Sequence, residues 1–196
     1  MDTSNTEALD RADMARLVGG CDAALNDLME RHAPVIFHFL CRMLGNADDA
    51  NDVAQETFVR VYRARASYRP EQKFSPWLFT IAANLARNQL RWRSRHSNVS
   101  LDAESKATEQ TLGDTLSDTT PNPHQAADAA ERVATVRAAV QALPDEMREA
   151  IVLCEWEDLT VAEAAAVLQT TPKAVESRLY RARNLLRERL GSSRWH

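Results

Sequence analysis

Apolar residues recur at helical spacing close to the C-terminus of the chain. They are separated by four, three and four positions, at Val175, Leu179, Ala182 and Leu186. This spacing predicts a helix that buries one face. Thr171 is a good N-cap for it, and Pro172 suits its first position. The sequence therefore predicts a helix from about residue 172.

A second helix is predicted immediately before it. Thr160 and Glu163 have the spacing of a capping box, and the small residues 164–166 allow a close helix crossing. Gln169 and Thr170 fill the turn. Two such helices form a helix-turn-helix, in which the second helix enters the major groove of DNA. The alternative is an ordinary helical hairpin with a solvated basic face.

The first half of the chain carries two more helical patterns. Residues 1–21 lack periodicity as far as Met14 and are expected to be a frayed lead. A helix is predicted from Asp22 as cap to Gly45 as stop, with a kink or a division into two helices at Pro34. The next helix is predicted over residues 46–65.

A row of carboxylates marks this second helix. Asp48, Asp52 and Glu56 are four residues apart, which places them on one face. Such a row can bind magnesium, as in nucleases, or form a solvated face or a protein-docking surface. His32, His38 and Cys41 share a face of the preceding helix, but no fourth metal ligand accompanies them, so we expect no metal site there.

Aromatic and basic residues alternate in the next segment. Residues 66–74 are predicted to form a loop, and Ser75 and Pro76 to start a helix that runs to about Arg95. Rings that stack on bases and cations that follow the backbone are what single-stranded DNA requires. The alternative is that the aromatic side chains are core residues, and both can hold because the apolar stripe covers one face.

Composition changes abruptly at residue 97. Residues 97–127 are polar, acidic and interrupted by proline, which predicts a flexible linker. Helical periodicity returns over residues 128–196, and no credible strand is found. The predicted fold class is therefore all-α, with two small helical domains, residues 22–96 and 128–196, joined by the linker.

Charge is distributed unevenly along the chain. The net charge is −4, yet basic residues dominate residues 60–95 and again from residue 173 onward. Two basic blocks separated by an acidic one indicate two DNA contacts on a chain whose total field holds DNA weakly. An acidic N-terminus, three scattered cysteines and the lack of a long apolar run predict a cytoplasmic protein without membrane insertion.

Three segments in order resemble one family. D-A-N-D-V-A-Q-E-T-F begins at Asp49, F-S-P-W-L-F-T-I-A-A-N covers residues 74–84, and A-L-P-D-E-M-R-E begins at Ala142, ahead of the helix-turn-helix. Together they resemble the extracytoplasmic-function class of bacterial RNA polymerase sigma factors, within the sigma-70 superfamily. The resemblance implies a non-enzymatic specificity subunit of core RNA polymerase that needs no cofactor or metal and answers to an anti-sigma factor.

The resemblance also implies three sets of contact residues. The first set would bind core polymerase: Asp49, Asp52, Gln55, Glu56 and Phe58. The second would read and open the −10 element as single-stranded DNA: Arg69, Lys73, Phe74, Trp77, Asn84, Arg87, Asn88 and Arg91. The third would read the −35 duplex: Thr171, Lys173, Ala174, Ser177, Arg178, Arg181 and Arg183.

Two other classes of function remain open at this stage. A transcriptional regulator outside the sigma class would share the helix-turn-helix, but it would bind its operator without polymerase. A nuclease built on the carboxylate row would cleave DNA with magnesium. Within the family pattern, Glu176 stands at a usually basic position, Gln169 at a turn position often held by Gly or Asp, and Asn88 where Asp is common.

Overall fold

All regular structure in the described part of the chain is helical. The computed structural model describes residues 3–96 and 123–191, with side chains over 5–96 and 129–191. The helices are α1 (Thr3–Val18), α2 (Ala23–Leu44), α3 (Ala47–Ala64), α4 (Phe74–His96), α5 (Pro123–Gln141), α6 (Asp145–Glu155), α7 (Val161–Val167) and α8 (Pro172–Leu190). The predicted all-α class is confirmed over these ranges. Most of the predicted linker and the last five residues lie outside them, and residues 123–127 begin α5.

The N-terminal residues differ from the predicted frayed lead, because they form α1. Its buried positions, Asp10, Asp13, Met14 and Leu17, have helical spacing, but two of them are carboxylates. Asp10 accepts a hydrogen bond from Arg31 Nε at 3.0 Å and lies 2.9 Å from His32 Nε2. A stripe that is half polar gives no apolar periodicity, so the sequence pattern concealed this helix.

The N-terminal unit, α1 to α4, is built around α2. Helices α1, α3 and α4 all pack on it, and Phe39 meets Phe79 of α4 edge to face at 5.2 Å. Pro34 does not divide α2, since it lies on the exposed side, where the carbonyl that loses its helical donor can meet solvent. Gly45 ends the helix with φ 72°, as predicted. Asp22 occupies the N-cap position, but its side chain makes no capping hydrogen bond.

The C-terminal unit, α5 to α8, contains the predicted helix-turn-helix. Thr160 and Glu163 form both bonds of the capping box, and Thr171 Oγ1 accepts from the backbone of Ala174 at 3.2 Å. The predicted stripe of α8 is buried. Helix α4 begins at Phe74, one residue before the predicted cap Ser75. Pro76 therefore still falls in the first turn, where its missing N–H costs no helical bond.

The turn between α7 and α8 is strained at Gln169, whose φ is 53°. A side chain in this left-handed region costs about 1–2 kcal/mol, partly offset for glycine by its greater chain entropy. We expect Gln169→Gly to raise the free energy of unfolding by up to about 1 kcal/mol. Urea denaturation measures it, with Gln169→Ala as the control that keeps the Cβ. Equal stability of the two variants would contradict the explanation by strain.

The two units pack against each other. Helices α5 and α6 contact α2, and α7 contacts α4. Arg42 of α2 donates to Glu157 Oε1 at 3.0 Å, and its guanidinium lies 5.7 Å from the centre of the Trp156 ring. Within the described ranges, none of the helices has both the length and the apolar character that crossing a membrane demands.

Candidate protein-binding and nucleic-acid-binding surfaces

The exposed face of α3 presents the predicted protein-docking residues. Asp52 and Gln55 are exposed, and Glu56 accepts from Arg60 Nε at 2.9 Å on the surface. Val59 lies on the same face and is 40% exposed. Sequence reasoning missed Val59, although its place three residues after Glu56 and outside the apolar stripe was a usable signal. An exposed valine among carboxylates is typical of a protein-binding surface.

Two other members of this set have different surroundings. Phe58 is only 3% exposed and packs in the core of the N-terminal unit. Asp49 forms a salt bridge with Arg93 and accepts from Gln89 Nε2 at 3.1 Å, both on α4. Their places in the structure therefore fit positioning of the α3 face better than direct docking.

The aromatic residues of α4 divide into buried and exposed ones. Phe74 is 2% exposed and lies among the rings of His32, Tyr68 and Trp77, with centroids 5.1–6.1 Å away. In this arrangement Phe74 cannot stack on a base, and the partly buried Trp77 packs against Tyr68 at 5.2 Å. Trp92 is instead 51% exposed and stacks on His96 at 4.6 Å. Trp92 is thus an accessible ring that the candidate set omitted.

The polar candidates for the −10 element follow the surface of α4. Asn88, Arg91 and Arg69 are exposed. Asn84 Oδ1 accepts from Arg87 Nη2 at 2.6 Å, so these two side chains form one unit. Lys73 bridges Glu7 at 3.0 Å and Glu163 at 3.1 Å, which raises the pKa of its ammonium. The structure therefore places these residues along one helix and the loop before it.

Helix α8 sorts the −35 candidates into free and paired side chains. Lys173 and Arg181 are exposed, and Arg181 bonds only Ser177 of its own helix among the described residues, at 2.9 Å. The other two cations are paired with carboxylates of α6: Arg178 with Glu146 at 2.8 Å, and Arg183 with Glu155. Thr171 is used as the cap, and Ala174 is half-buried. Tyr180, 68% exposed, was not among the candidates.

Two acids buried where the units meet have unusual titration. Burial raises the pKa of Glu149 to about 7, although the cations Arg87 and Arg178 oppose the rise. Burial likewise raises the pKa of Glu157 to about 7 against the pull of Arg42. Each carboxyl is therefore favoured in its protonated form in the folded chain.

This titration predicts a stability that declines with pH. The stabilisation is complete below the ordinary pKa near 4.5 and is lost as pH rises through about 7. Between pH 6 and 8 we expect each carboxyl to remove about 1 kcal/mol. Urea unfolding at both values measures this loss, with Glu149→Gln/Glu157→Gln as the variant that lacks both titrations. A double variant with the same pH slope as the parent chain would contradict the assignment.

The histidines and carboxylates considered as metal ligands are otherwise engaged or dispersed. His32 bonds Asp10, and burial, followed by the nearby Arg42, lowers the pKa of His38. Over the described residues, no three His, Cys, Asp or Glu side chains are grouped so that they could hold a metal ion. The row on α3 is thus a set of separate surface charges.

Comparison with known proteins gives two family matches in the expected order. Residues 28–96 match the model described as Sigma-70 region 2, and residues 134–186 match Sigma-70, region 4. The chain belongs to the sigma-70 family, in its extracytoplasmic-function class. The RNA polymerase sigma factor CarQ of Myxococcus xanthus is 37% identical over 178 residues, which are 91% of this chain and 95% of that protein.

Solved structures of sigma factors share the arrangement. CnrH in complex with the cytosolic domain of CnrY has a TM-score of 0.68 and 29% identity, covering 94% of this chain and 99% of that one. RpoE in complex with the anti-sigma factor NepR from Bartonella quintana has a TM-score of 0.69 and 25% identity, covering 86% and 98%. This sigma factor is accordingly a specificity subunit of RNA polymerase and not an enzyme.

Proposed function

We propose that this sigma factor binds bacterial core RNA polymerase in the cytoplasm and directs it to promoters by reading a −35 duplex and opening a −10 element. The observation that carries the proposal is the division of exposed polar side chains among three helices. Carboxylates occupy α3, amide and basic groups occupy α4, and Lys173 and Arg181 project from α8. Each surface has the chemistry of a different partner.

The −35 duplex is assigned to the N-terminal half of α8. The helix begins at Pro172 after a capped turn, so the side chains of its first two turns can enter the major groove. Base contacts by such side chains contribute about 1–3 kcal/mol each, and phosphate contacts add affinity that salt weakens. The exposed cations Lys173 and Arg181 suit both kinds of contact.

The opened −10 strand is assigned to α4. Extracting a base from the duplex costs a few kcal/mol, and stacking on an aromatic ring offsets about 1–3 kcal/mol of it. Asn84, Arg87, Asn88 and Arg91 supply polar and cationic contacts, and the exposed Trp92 supplies a ring surface.

An anti-sigma factor is proposed as the regulator. Both sigma factor structures described above were solved with a bound protein, CnrY or the anti-sigma factor NepR, and each covers nearly the whole length of its sigma factor in the alignment. We propose that the regulator of this chain likewise blocks its polymerase-binding and DNA-binding faces.

Permanganate probing tests the DNA-opening step. A promoter is first selected by transcription from a random-sequence library with core polymerase and this chain. We expect unpaired thymines upstream of the start site with the reconstituted holoenzyme and none with the chain alone. Polymerase that binds the chain but leaves every thymine protected would contradict the proposed opening of the −10 element.

A further inference from the structure

Three carboxylates of the C-terminal unit lie along the α4 surface assigned above to single-stranded DNA. We name this set the acidic edge: Asp145, Glu149 and Glu163. Glu163 Oε1 is 3.1 Å from Lys73 Nζ, and Glu149 Oε1 is 3.6 Å from Arg87 Nε. Asp145 lines a surface depression together with Asn88 and Arg91. The edge thus faces four of the residues assigned to the −10 strand.

A buried arginine holds the two units in this position. The last carbonyls of a helix lack donors from within it. Arg148 donates to Met43 O near the end of α2 at 2.8 Å, and to Gln141 O and Leu143 O after α5 at 2.8 and 2.9 Å. One guanidinium, 7% exposed, therefore serves the C-terminal ends of a helix from each unit, where the helix dipoles favour a cation.

Gln141 completes the contact. Its Nε2 donates to Arg42 O at 2.6 Å, so two carbonyls in the last turn of α2 receive their donors from the other unit. A Cβ on Gly45 would lie 2.9 Å from Gln141 Oε1, which shows how closely the units approach.

The acidic edge is not fully satisfied by this packing. Glu149 Oε1 is buried and has no hydrogen-bond partner among the described residues. A buried carboxyl without partners costs stability, so the contact between the units is easier to open than a fully paired one.

We propose that the C-terminal unit is an internal mimic of the DNA backbone. In the free chain its acidic edge occupies the α4 surface in place of phosphates, and Arg148 keeps the units together until polymerase separates them. This inference rests on the proposed function of α4. It also explains how a chain with basic blocks avoids stray single-stranded nucleic acid, because such binding depends on cations that are already paired.

Binding of the full chain to a fluorescein-labelled, mixed-sequence single-stranded DNA of about 20 nucleotides tests the proposal. Arg148→Met removes the capping donor. We expect it to raise the affinity about fivefold or more, although it deletes a positive charge, and to enlarge the radius of gyration in small-angle X-ray scattering. Arg189→Met is the control, since Arg189 donates to Ala139 O inside its own unit at 3.3 Å. This control is expected to bind no more tightly than the parent chain.

The outcomes separate masking from the proposed function. An expanded Arg148→Met chain with unchanged affinity would overturn the mimicry, and a compact chain with unchanged affinity would overturn the role of Arg148. If circular dichroism shows that Arg148→Met does not fold, Gln141→Ala is measured in its place, with a gain in affinity expected and no gain counting against the proposal. Failure of the proposed function would appear elsewhere, as a parent chain that does not support promoter-directed transcription with core polymerase.

Discussion

Reversing the charge at both Asp52 and Glu56 is expected to weaken binding to core RNA polymerase by about 2 kcal/mol or more, roughly thirtyfold in Kd. Both side chains lie on the exposed face of α3, where lysines would turn attraction to a basic partner into repulsion. The fold should tolerate the change, because the bond from Arg60 to Glu56 is a surface ion pair, which contributes little to stability. Competition between the variant and labelled parent chain for core polymerase measures the effect.

A matched control separates this local effect from net charge. Glu30→Lys/Glu131→Lys changes the total charge equally at exposed sites on α2 and α5. We expect the control to compete nearly as well as the parent chain. Equal affinity of the two double variants would remove the α3 face from the polymerase-binding surface.

Removing the two free cations of α8 is the second change with a large expected effect. Lys173→Ala/Arg181→Ala should weaken binding of the holoenzyme to a −35 duplex by about 2 kcal/mol or more, and reduce the slope of log K against log salt. Lys173 has no side-chain bond within the described residues, and Arg181 bonds only Ser177 there, so both are available to DNA. Fluorescence anisotropy at several salt concentrations gives both quantities.

Arg183→Ala is the comparison within the same helix. Its guanidinium already binds Glu155 of α6, so the loss should alter the packing of α8 more than the DNA affinity. A −35 duplex affected as strongly by Arg183→Ala as by the double variant would show that the pairing seen in the free chain does not predict the DNA contacts.

Local patterns predicted the local structure well. The capping box of Thr160 and Glu163, the cap at Thr171 and the buried stripe of α8 depend on residues within a few positions of one another. These interactions form inside a single helix or turn, so their sequence spacing carries nearly all of the information. The same reason explains the correct prediction of the stop at Gly45.

Contacts between distant residues could not be obtained in this way. Arg148 and Met43 are 105 positions apart, and nothing in their local sequence indicates that one donates to the other. Helix α1 was missed because its buried stripe contains Asp10 and Asp13, which only the fold pairs with Arg31 and His32. Phe74 was assigned to DNA because an aromatic residue near cations has the same sequence pattern whether it is buried or exposed.

The most direct test of the sigma-factor account is gel filtration of the purified chain mixed with sigma-free bacterial core RNA polymerase. The account predicts co-elution of the chain with core polymerase, followed by transcription from a selected promoter. Separate elution, repeated at low salt and with the Arg148→Met chain to exclude masking by the C-terminal unit, would contradict it.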